Sequence, residues 1–573
     1  MINANEMMQS LLDQVASGRQ SRRQFLNAAA SAGLTAGLSA AAVDQAFAAG
    51  ENQALNQVKL DGAYDYIVVG AGASGAVVAG ELSKTGAKVL VVESGGADTA
   101  PTIGNPAIWF YNIGGPMDWK LPITPVPQLN NRKFNMALGH VLGGGSSINA
   151  LVWSRGMERD YESWVRGGAK GWGFKDVLPT YKAQEDWEGG ANEWRGVGGP
   201  VHIRKPGNPH PTAPAFIEAA RQMGFPVHDD ANGPMRAGAG YINMNIAADG
   251  TRVSSARAFL RPNLDRQNLT LLLDANVTKV TFEGDRASGV EIVTADGAKS
   301  VKATREVILA AGTIHSARLL MLSGIGDAAQ LQKLGIKPVA NLRGVGQNLQ
   351  DHVIVSGVVY QYKGKMPDRP AGSNAVEAEV YLSSGVDDHP ADINLVLEQL
   401  PIATPEAAAR FGAPPKEGFT IAPALVQPTS RGHVRLASAD WRDAPVIVCN
   451  HLGTDRDLAA IVRAVEVARE LGSKTALDGV REAEVVPGPK ATSKADLIEL
   501  VRTAAASFGH AVGTAKIGTG ADAVVDSELR VRGIRGLRVA DASVIPSIIS
   551  GPTNAAAFMV GGRAAELIKA SKA

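Results

Sequence analysis

One segment near the N-terminus limits the possible folds of this chain more than any other. Residues 64–95, YDYIVVGAGASGAVVAGELSKTGAKVLVVESG, contain an apolar run, a glycine-rich turn, a helix-compatible stretch and a second apolar run. This order predicts a βαβ unit whose helix begins directly after the first strand. The three glycines of the turn have separate tasks: Gly70 allows the tight turn, Gly72 lets backbone approach a pyrophosphate, and Gly75 lets the helix pack closely on the strand.

The same segment predicts that the ligand is a dinucleotide. Ala73 and Ser74 lead into the helix, whose N-terminus offers free N–H groups and the positive end of its dipole to phosphates. Glu93 follows the turn at close to the ~20 residues expected of an acid that accepts hydrogen bonds from ribose hydroxyls. The alternative is a turn without a ligand, and the strand, helix and acid at their expected places argue against it.

The rest of the sequence predicts an α/β protein, α+β overall, with two domains. A chain of 573 residues, of which 45% are apolar and 20% charged, can bury a large core. Alternating runs between residues 351 and 450 suggest a mainly antiparallel sheet, and helical patterns return after it. We expect a discontinuous Rossmann-like nucleotide-binding domain formed by residues 62–200, 250–350 and 506–573, and a substrate-binding domain formed by residues 201–249 and 351–505.

Residues 1–49 predict a twin-arginine signal peptide. Arg22 and Arg23 precede a run without charged residues, and Ala46-Phe47-Ala48 supplies a small-x-small cleavage site. A retained membrane anchor and a cytoplasmic tail are the alternatives. Because no other stretch approaches the ~18 apolar residues of a membrane span, we expect none in the mature chain. The predicted location is the periplasm.

Composition excludes several function classes. The formal net charge is +1, which gives no reason to expect nucleic acid as a partner. Cys449 is the only cysteine, so the chain has no intramolecular disulfide, Cys-ligated iron–sulfur cluster or CxxCH haem site, and any onward electron carrier is another molecule. His352, His433 and His451 lack ligand-like spacing, so we interpret them as structural and predict no metal. The absence of a GxSxG motif argues against a serine hydrolase.

Further glycine-rich and polar segments complete the pattern. Residues 138–149, LGHVLGGGSSIN, can bring backbone close to a planar or phosphorylated ligand. Residues 305–326 predict a buried strand, a tight turn and a helix, and GVGQNL at 344–349 predicts another compact turn. A last strand-turn-helix unit runs from residue 536 onward through Gly551-Pro552-Thr553-Asn554.

Together these segments resemble the glucose-methanol-choline (GMC) family of flavin oxidoreductases, near its choline dehydrogenase-like and hydroxymethylfurfural oxidase-like bacterial members. The resemblance covers nearly everything from residue 62 onward, including GVGQNLQDH at 344–352 and HAVGTA at 510–515. Three positions depart from the family pattern: His140 stands where Arg or Lys is usual, Ser316-Ala317 where Ser-Pro is usual, and Gly509 where an aromatic residue commonly precedes the catalytic His.

The resemblance implies an FAD-dependent alcohol oxidation, in which hydride passes from the carbinol carbon to flavin N5 while His510 takes the hydroxyl proton. Asn554 would hold the substrate oxygen, since an amide donates without titrating. The implied cofactor-binding residues are Gly70, Gly72, Ala73, Ser74, Gly75, Glu93, Gly144, Ser146, Asn149, Val277, Asp541 and Ala542. The FAD is expected to be noncovalent, because Ile148 stands where covalent members can have a histidine.

Gly509 suggests which alcohol the site accepts. A glycine before the base leaves open the space that an aromatic ring would fill, and Phe508 would point elsewhere if the segment is extended. We therefore expect a primary alcohol, with bulky or aryl groups preferred. The alternative is that a ring from the 351–450 region fills the same space.

Other functions share parts of this pattern. A nicotinamide-dependent dehydrogenase would share the first fingerprint but not the later segments. A lyase or light-driven decarboxylase would share the fold, and a non-catalytic electron-transfer subunit would not need His510 and Asn554. The sequence leaves the alcohol, the oligomeric state and the external electron acceptor open, the acceptor being oxygen, a quinone or a cytochrome.

Overall fold

The structure is a computed structural model, and it describes residues 11, 25, 50–60, 62–234, 237–370 and 372–571. The predicted signal peptide, residues 1–49, lies outside the described residues except for Leu11 and Phe25. No helix in the described ranges is long and apolar enough to cross a membrane.

The described residues form both strands and helices. The strands are β1 (Ala63–Val69), β2 (Val89–Val92), β3 (Leu121–Pro122), β4 (Asn135–Met136), β5 (Glu185–Trp187), β6 (Val201–Ile203), β7 (Gly238–Tyr241), β8 (Leu269–Leu272), β9 (Asn276–Glu283), β10 (Arg286–Thr294), β11 (Gly297–Leu309), β12 (Ile325–Gly326), β13 (Ala340–Asn341), β14 (Val353–Val355), β15 (Val359–Tyr362), β16 (Val376–Leu382), β17 (Ile393–Glu398), β18 (Gly418–Leu425), β19 (His433–Arg435), β20 (Val446–Val448), β21 (Arg481–Val486), β22 (Ala505–Ser507) and β23 (Leu537–Val539). The α-helices are α1 (Gly75–Ser83), α2 (Pro101–Gly104), α3 (Gly145–Ile148), α4 (Glu158–Arg166), α5 (Phe174–Gln184), α6 (Thr212–Gln222), α7 (Gly312–Leu322), α8 (Ala328–Lys333), α9 (Pro405–Phe411), α10 (Asp455–Gly472), α11 (Lys494–Ala504) and α12 (Asn554–Ala570).

The first sheet has the strand order β8-β2-β1-β11-β23, and all of these neighbours pair in parallel. In order of appearance along the chain this is 3-2-1-4-5, the order of a doubly wound dinucleotide-binding fold. The strands are apolar and buried on both faces, as parallel strands covered by helices are. β9 and β10 extend the sheet as an antiparallel meander on the first half of β11. The predicted Rossmann-like fold is confirmed.

Helix α1 packs tightly against the strand that precedes it. A Cβ atom on Gly75 would lie 2.0 Å from the carbonyl oxygen of Gly70 and 3.0 Å from Cβ of Ala310. Only glycine fits at that distance, which confirms the predicted packing task of Gly75. On its other side α1 contacts α12, so the C-terminal helix covers the first βαβ unit.

The second sheet is antiparallel throughout. Its order is β21-β15-β18-β17-β16-β7, and β14 pairs with both β18 and β22. Helix α10 packs across β17 and β18, and α6 covers β16 and β7. The prediction of a mainly antiparallel sheet plus helices is confirmed.

The predicted domain boundaries can be compared with the two sheets. The strands of the first sheet fall within 62–200, 250–350 and 506–573, and those of the second within 201–249 and 351–505, except that β22 runs across the boundary at 505–507. One small sheet crosses the predicted boundary at residue 200, because β5 on one side of it pairs in parallel with β6 on the other. Residues from both large sheets line a single cavity.

Candidate active site

A cavity of about 550 Å³ lies at the carboxyl ends of β1 and β11. The strand order of the first sheet reverses between these two strands, which is where open α/β sheets bind their ligands. The opposite wall is formed by β14, β16 and β17 of the second sheet. The predicted site residues that line the cavity are Gly70, Gly72, Ala73, Ser74, Glu93, Gly144, Asn149, Val277, Asp541, Ala542, His510 and Asn554.

Two predicted site residues do not line the cavity. Gly75 lies behind the turn, where it packs the helix on the strand. Ser146 is fully buried; its hydroxyl donates to the carbonyl oxygen of Gly143 at 2.6 Å and lies 3.0 Å from Oγ of Ser255. The structure therefore does not support a direct contact between Ser146 and a cofactor, because its side chain is used to hold the glycine loop in shape.

Glu93 lies at the cavity wall with its carboxylate already oriented. Oε2 accepts a hydrogen bond from the backbone N–H of Ala71, and Oε1 from that of Gly95, both at 2.8 Å. Burial raises the pKa of Glu93 to about 7, against the opposing effect of these donors. Each carboxylate oxygen has a further lone pair. Glu93 can thus accept a hydrogen bond from a ribose hydroxyl without moving. The backbone N–H of Ala275, two residues before Val277, donates to the carbonyl oxygen of Glu93, which brings the Val277 segment to the same part of the wall.

The glycine loops leave room for a long planar and phosphorylated ligand. A Cβ atom on Gly72 would meet nothing closer than Cα of Gly144, at 3.9 Å. The loop that contains Gly72 and the loop that contains Gly144 therefore approach each other through backbone atoms only. Cβ atoms on Gly145 and Gly312 would meet nothing within 4 Å. The N-termini of α1, α3 and α7 therefore border open space, which suits a pyrophosphate and a ring system. The residues present fit FAD.

His510 follows β22 and is held through its backbone. Its N–H donates to Oδ1 of Asp351 at 2.8 Å, and Oδ2 of Asp351 accepts from Ser507 and from Nε2 of His451. These donors and the neighbouring imidazoles lower the pKa of Asp351, although burial opposes them. An ionised carboxylate thus fixes the loop that carries the predicted base.

A second histidine fixes the tautomer of His510. Nε2 of His352 lies 3.1 Å from the carbonyl oxygen of Ile549, which only accepts, so this nitrogen carries the proton. Nδ1 of a neutral His352 is then an acceptor, and it lies 2.9 Å from Nδ1 of His510. Nδ1 of His510 must donate to it. The lone pair of His510 is consequently on Nε2, as a general base requires.

Burial keeps both imidazoles neutral. It lowers the pKa of His510 to about 4, while the negative charge of Asp351 opposes the shift. Burial and the neighbouring His510 lower the pKa of His352 to about 3. The sequence analysis interpreted His352 as structural and did not anticipate its direct contact with the predicted base. No local sequence signal could show this, since the two residues are far apart in the chain.

Phe508 also lines the cavity, contrary to the prediction that it points elsewhere. Its ring centroid lies 4.5 Å from that of His510. In an extended segment residues 508 and 510 share one face and residue 509 has the other, so the predicted alternation already places Phe508 on the side of His510. Gly509, between them, has a φ of +74°. An aromatic ring therefore does stand beside the base, one position earlier than in the family pattern.

Asn554 is the first residue of α12 and lines the cavity. Its Nδ2 is buried and has no hydrogen-bond partner among the described residues. An unpaired buried amide donor is costly, and a substrate oxygen would satisfy it. The structure therefore brings a free proton acceptor and a free donor to one cavity.

Sequence reasoning missed several residues of the cavity wall. His315 on α7 has an Nε2 without a hydrogen-bond partner in the part of the chain that the structure describes. Its ring centroid lies 4.4 Å from that of Trp119, and burial lowers its pKa to about 3. Trp109 and Glu398 also line the cavity. His140 does not; its ring stacks on that of Trp119 with the centroids 3.8 Å apart. Within the described residues no group of three or more His, Cys, Asp or Glu could hold a metal ion.

Comparison with known proteins identifies the family. Residues 64–354 match the N-terminal part, and residues 428–561 the C-terminal part, of the GMC oxidoreductases. The chain belongs to the GMC oxidoreductase family. Like its family it is an FAD-dependent oxidoreductase that acts on CH–OH donors, and its fold is that of the family.

Relatives of this GMC oxidoreductase cover almost its whole length. It is 37% identical to the oxygen-dependent choline dehydrogenase of Brucella anthropi over 531 residues, 88% of this chain and 95% of the relative. It is 36% identical to the mitochondrial choline dehydrogenase of Mus musculus, over 88% of this chain and 89% of the relative. Among solved structures, pyridoxine 4-oxidase from Mesorbium loti superimposes with a TM-score of 0.84 at 30% identity, covering 89% of this chain and 100% of that chain.

Proposed function

We propose that this protein oxidises a primary alcohol with a bulky or aryl substituent to the aldehyde. The observation that carries the proposal is the hydrogen-bond chain from the carbonyl oxygen of Ile549 through His352 to His510, which leaves Nε2 of His510 unprotonated in a cavity that also holds the free amide of Asn554. Bound FAD would supply the acceptor for the hydride that leaves the carbinol carbon.

The chain's own residues do the proton chemistry. Asn554 Nδ2 donates to the substrate oxygen and thereby orients the hydroxyl group. His510 Nε2 takes the hydroxyl proton as the carbon–hydrogen bond breaks, which a positioned base accelerates by about 10²- to 10⁴-fold. The protonated imidazole keeps its Nδ1–H bond to His352, and the carboxylate of Asp351 stabilises its charge.

The apolar part of the wall supports a bulky or aryl substituent. Phe508 and Trp109 contribute rings, and Ile354, Val376 and Val396 contribute aliphatic surface. Aromatic and aliphatic walls favour an aromatic substrate group, which buries apolar area against them. Choline, the substrate in the names of the relatives, is the reference small alcohol for this comparison.

We further propose that the FAD is noncovalent and that the enzyme is periplasmic, exported by the twin-arginine pathway. Ile148 supports the first point, because it offers no nucleophile, and His140 stacks on Trp119 and is not among the described residues that line the cavity. His315 is the one described histidine of the wall besides His510. Arg22 and Arg23 support the second point. The electrons would then pass to oxygen, a quinone or a cytochrome.

The test is anaerobic reduction of the purified yellow protein by 4-methylbenzyl alcohol, ethanol and choline, followed by stopped-flow absorbance. We expect the benzyl alcohol to bleach the flavin fastest, and His510→Ala to slow bleaching by about 10²- to 10⁴-fold with FAD still bound. His433→Ala, which alters a histidine of β19 outside the cavity, is the matched control. Equal rates in His510→Ala and the parent would remove His510 from the mechanism.

Two further measurements use the same samples. Adding oxygen, a quinone or a cytochrome to the reduced enzyme identifies the acceptor by its rate of flavin reoxidation. Acid precipitation should release the FAD into the supernatant. Colour that remains in the washed pellet would contradict noncovalent binding, and its loss in His315→Ala would then identify His315 as the attachment point.

A further inference from the structure

One buried arginine behind the cavity wall carries a charge that no carboxylate offsets. Arg252 lies on the chain between β7 and β8, and only 3% of it is exposed. In the part of the chain that the structure describes, no acidic group compensates for its burial, which lowers the pKa of Arg252 to about 9. The guanidinium group therefore stays positively charged at pH 7.

Other buried arginines have an acidic partner. Arg155 forms an ion pair with Glu185, and Arg538 forms one with Glu306. A buried guanidinium group without such a partner costs free energy, unless its surroundings or a ligand supply negative charge. Arg252 therefore calls for an explanation that these two pairs do not need.

The N–H groups of Arg252 point at the loop that follows α3. Nη1 donates to Oδ1 of Asn149 at 2.7 Å and to the carbonyl oxygen of Ser146 at 3.1 Å. Nη2 donates to the carbonyl oxygen of Asn149 at 2.7 Å, and Nε to that of Ile103 at 2.7 Å. All four acceptors are neutral oxygens, so the guanidinium group is hydrogen-bonded while its charge is not neutralised.

These contacts fix the side-chain amide of Asn149. Its Oδ1 accepts from Arg252 and from the backbone N–H of Leu151, the latter at 3.0 Å. Because both neighbours are donors, the atom that faces them has to be the oxygen and not the nitrogen. Asn149 lines the cavity, and its Nδ2 has no acceptor among the described residues. Arg252 thus leaves the NH₂ group of Asn149 available to a ligand in the cavity.

Asn149 stands between the phosphate side of the cavity and the catalytic side. A Cβ atom on Gly144 would lie 2.9 Å from Cα of Gly72, so the segment before Asn149 meets the glycine turn after β1. Ala150, the next residue, packs against the same apolar cluster as Phe508, whose ring lies beside the predicted base. FAD that reaches from the glycine turn to the base therefore passes Asn149.

We propose that Arg252 is a positioning residue that makes the bound FAD a better hydride acceptor. It holds Asn149 so that Nδ2 donates to the flavin ring, and it places an uncompensated positive charge behind that amide. The hydride leaves the carbinol carbon with its electron pair, and the hydroxyl proton goes to His510. The ring thus gains a negative charge, which Arg252 stabilises. The proposal rests on the FAD of the proposed function and not on the identity of the alcohol.

Sulfite tests the proposal without any alcohol. Its lone pair forms a sulfur–nitrogen bond to flavin N5 and an electron pair moves onto the ring, so its Kd reports how well the site stabilises negative charge there. A ligand that touches Asn149 lies within roughly 10 Å of Arg252, where a unit charge at an effective dielectric constant of about 20 changes such an equilibrium by more than about tenfold. We expect Arg252→Gln to raise the sulfite Kd at least about tenfold.

The reduction potential of the bound flavin gives an independent measurement. Measured against a reference dye during slow reduction, the two-electron potential of Arg252→Gln should be at least about 30 mV lower than that of the parent, which corresponds to the same tenfold change. Arg257→Gln is the matched control, because Arg257 is partly exposed and pairs with Asp249. Its sulfite Kd should stay within about twofold of the parent value.

Arg252→Lys separates the charge from the shape of the side chain. Lysine keeps the positive charge but lacks the planar fork, so it should recover most of the sulfite affinity and potential that Arg252→Gln loses. A side chain that only supported the fold would be replaced equally badly by lysine and by glutamine. Equal sulfite Kd values in Arg252→Lys and Arg252→Gln would therefore overturn the proposal.

Asn149→Asp keeps the test decisive if Arg252→Gln does not hold FAD. The carboxylate retains the acceptors that face Arg252 and Leu151, neutralises the guanidinium charge and offers no N–H group to the ring. The fold should be retained, whereas the sulfite Kd should rise at least about tenfold. An unchanged Kd in this variant or in Arg252→Gln would overturn the proposal. If no alcohol reduces the flavin but these shifts hold, the proposed function fails and the role of Arg252 stands.

Discussion

At the scale of single residues, the chemistry depends on which atoms carry protons. His510 differs from an ordinary histidine because the carbonyl oxygen of Ile549 dictates the tautomer two hydrogen bonds away. Burial then makes its charged form unfavourable. A base that is neutral far below pH 7 is available over a wide pH range, although it binds its proton more weakly than free imidazole does.

The acid limb of the pH profile of kcat/KM tests whether His510 stays neutral far below pH 7. Since only the neutral imidazole accepts the proton and its pKa is lowered to about 4, kcat/KM should stay constant on acidification past the usual histidine range and fall only near pH 4. Asp351→Asn should move the limb lower still, because the negative charge of Asp351 raises the pKa of His510. Asp296→Asn, on an exposed turn, is the control, and an acid limb near pH 6.5 in the parent would contradict the effect of burial.

Sequence reasoning reached some of these residues and not others, for physical reasons. His510 and Asn554 are flanked by recognisable motifs, so their presence in one cavity could be anticipated. His352 could not be assigned to the base, because its contact with His510 joins segments 158 positions apart in the chain. The direction of Phe508 was wrong because the prediction compared it with its neighbour Gly509, whereas residues two positions apart, such as Phe508 and His510, share a face of an extended segment.

At the scale of secondary-structure elements, the β1-α1-β2 unit depends on the close approach of Gly75, the first residue of α1, to the backbone of Gly70. The clearance at Gly75 is set by the backbone of Gly70, which cannot yield as a flexible side chain could. This unit was predictable because the signals are local: strand, turn, helix and acid follow one another. In the second sheet, periodicity indicated antiparallel strands, but the place of β7 at one edge and β21 at the other depends on contacts distant in sequence.

Gly75→Ala tests the close approach. Alanine favours a helix by about 1 kcal/mol over glycine, yet its Cβ would lie 2.0 Å from the Gly70 oxygen. Overpacking of this kind costs about 1–3 kcal/mol or more, so we expect a lower Tm and a loss of bound FAD. Gly104→Ala at the end of α2 is the control, because its Cβ would meet nothing within 4 Å. A Gly75→Ala variant that keeps its Tm and flavin would show that the turn can shift.

At the scale of the whole molecule, the cofactor cavity is assembled from both ends of the described chain. β1 lies near the start, β23 and α12 near the end, and β8 and β11 between them; of the second sheet, β7 precedes β8 and the other strands lie between β11 and β23. Because residues from Val69 to Ala557 line one cavity, FAD can be held only after the entire chain has been made and folded. Export of a loaded enzyme therefore requires a pathway that carries folded proteins.

Replacing the twin arginines tests this requirement. With both Arg22 and Arg23 changed to lysine, we expect the enzyme to fold and bind FAD but to remain in the cytoplasm, because the described residues that line the cavity lie between Val69 and Ala557. Arg19→Lys, just before the motif, is the matched control and should be exported normally. Alcohol-dependent activity in periplasmic and cytoplasmic fractions, with N-terminal sequencing of the exported form near Ala49, measures the outcome. Unchanged periplasmic activity in the double variant would refute this route, and flavin-free protein in the cytoplasm would show instead that loading follows export.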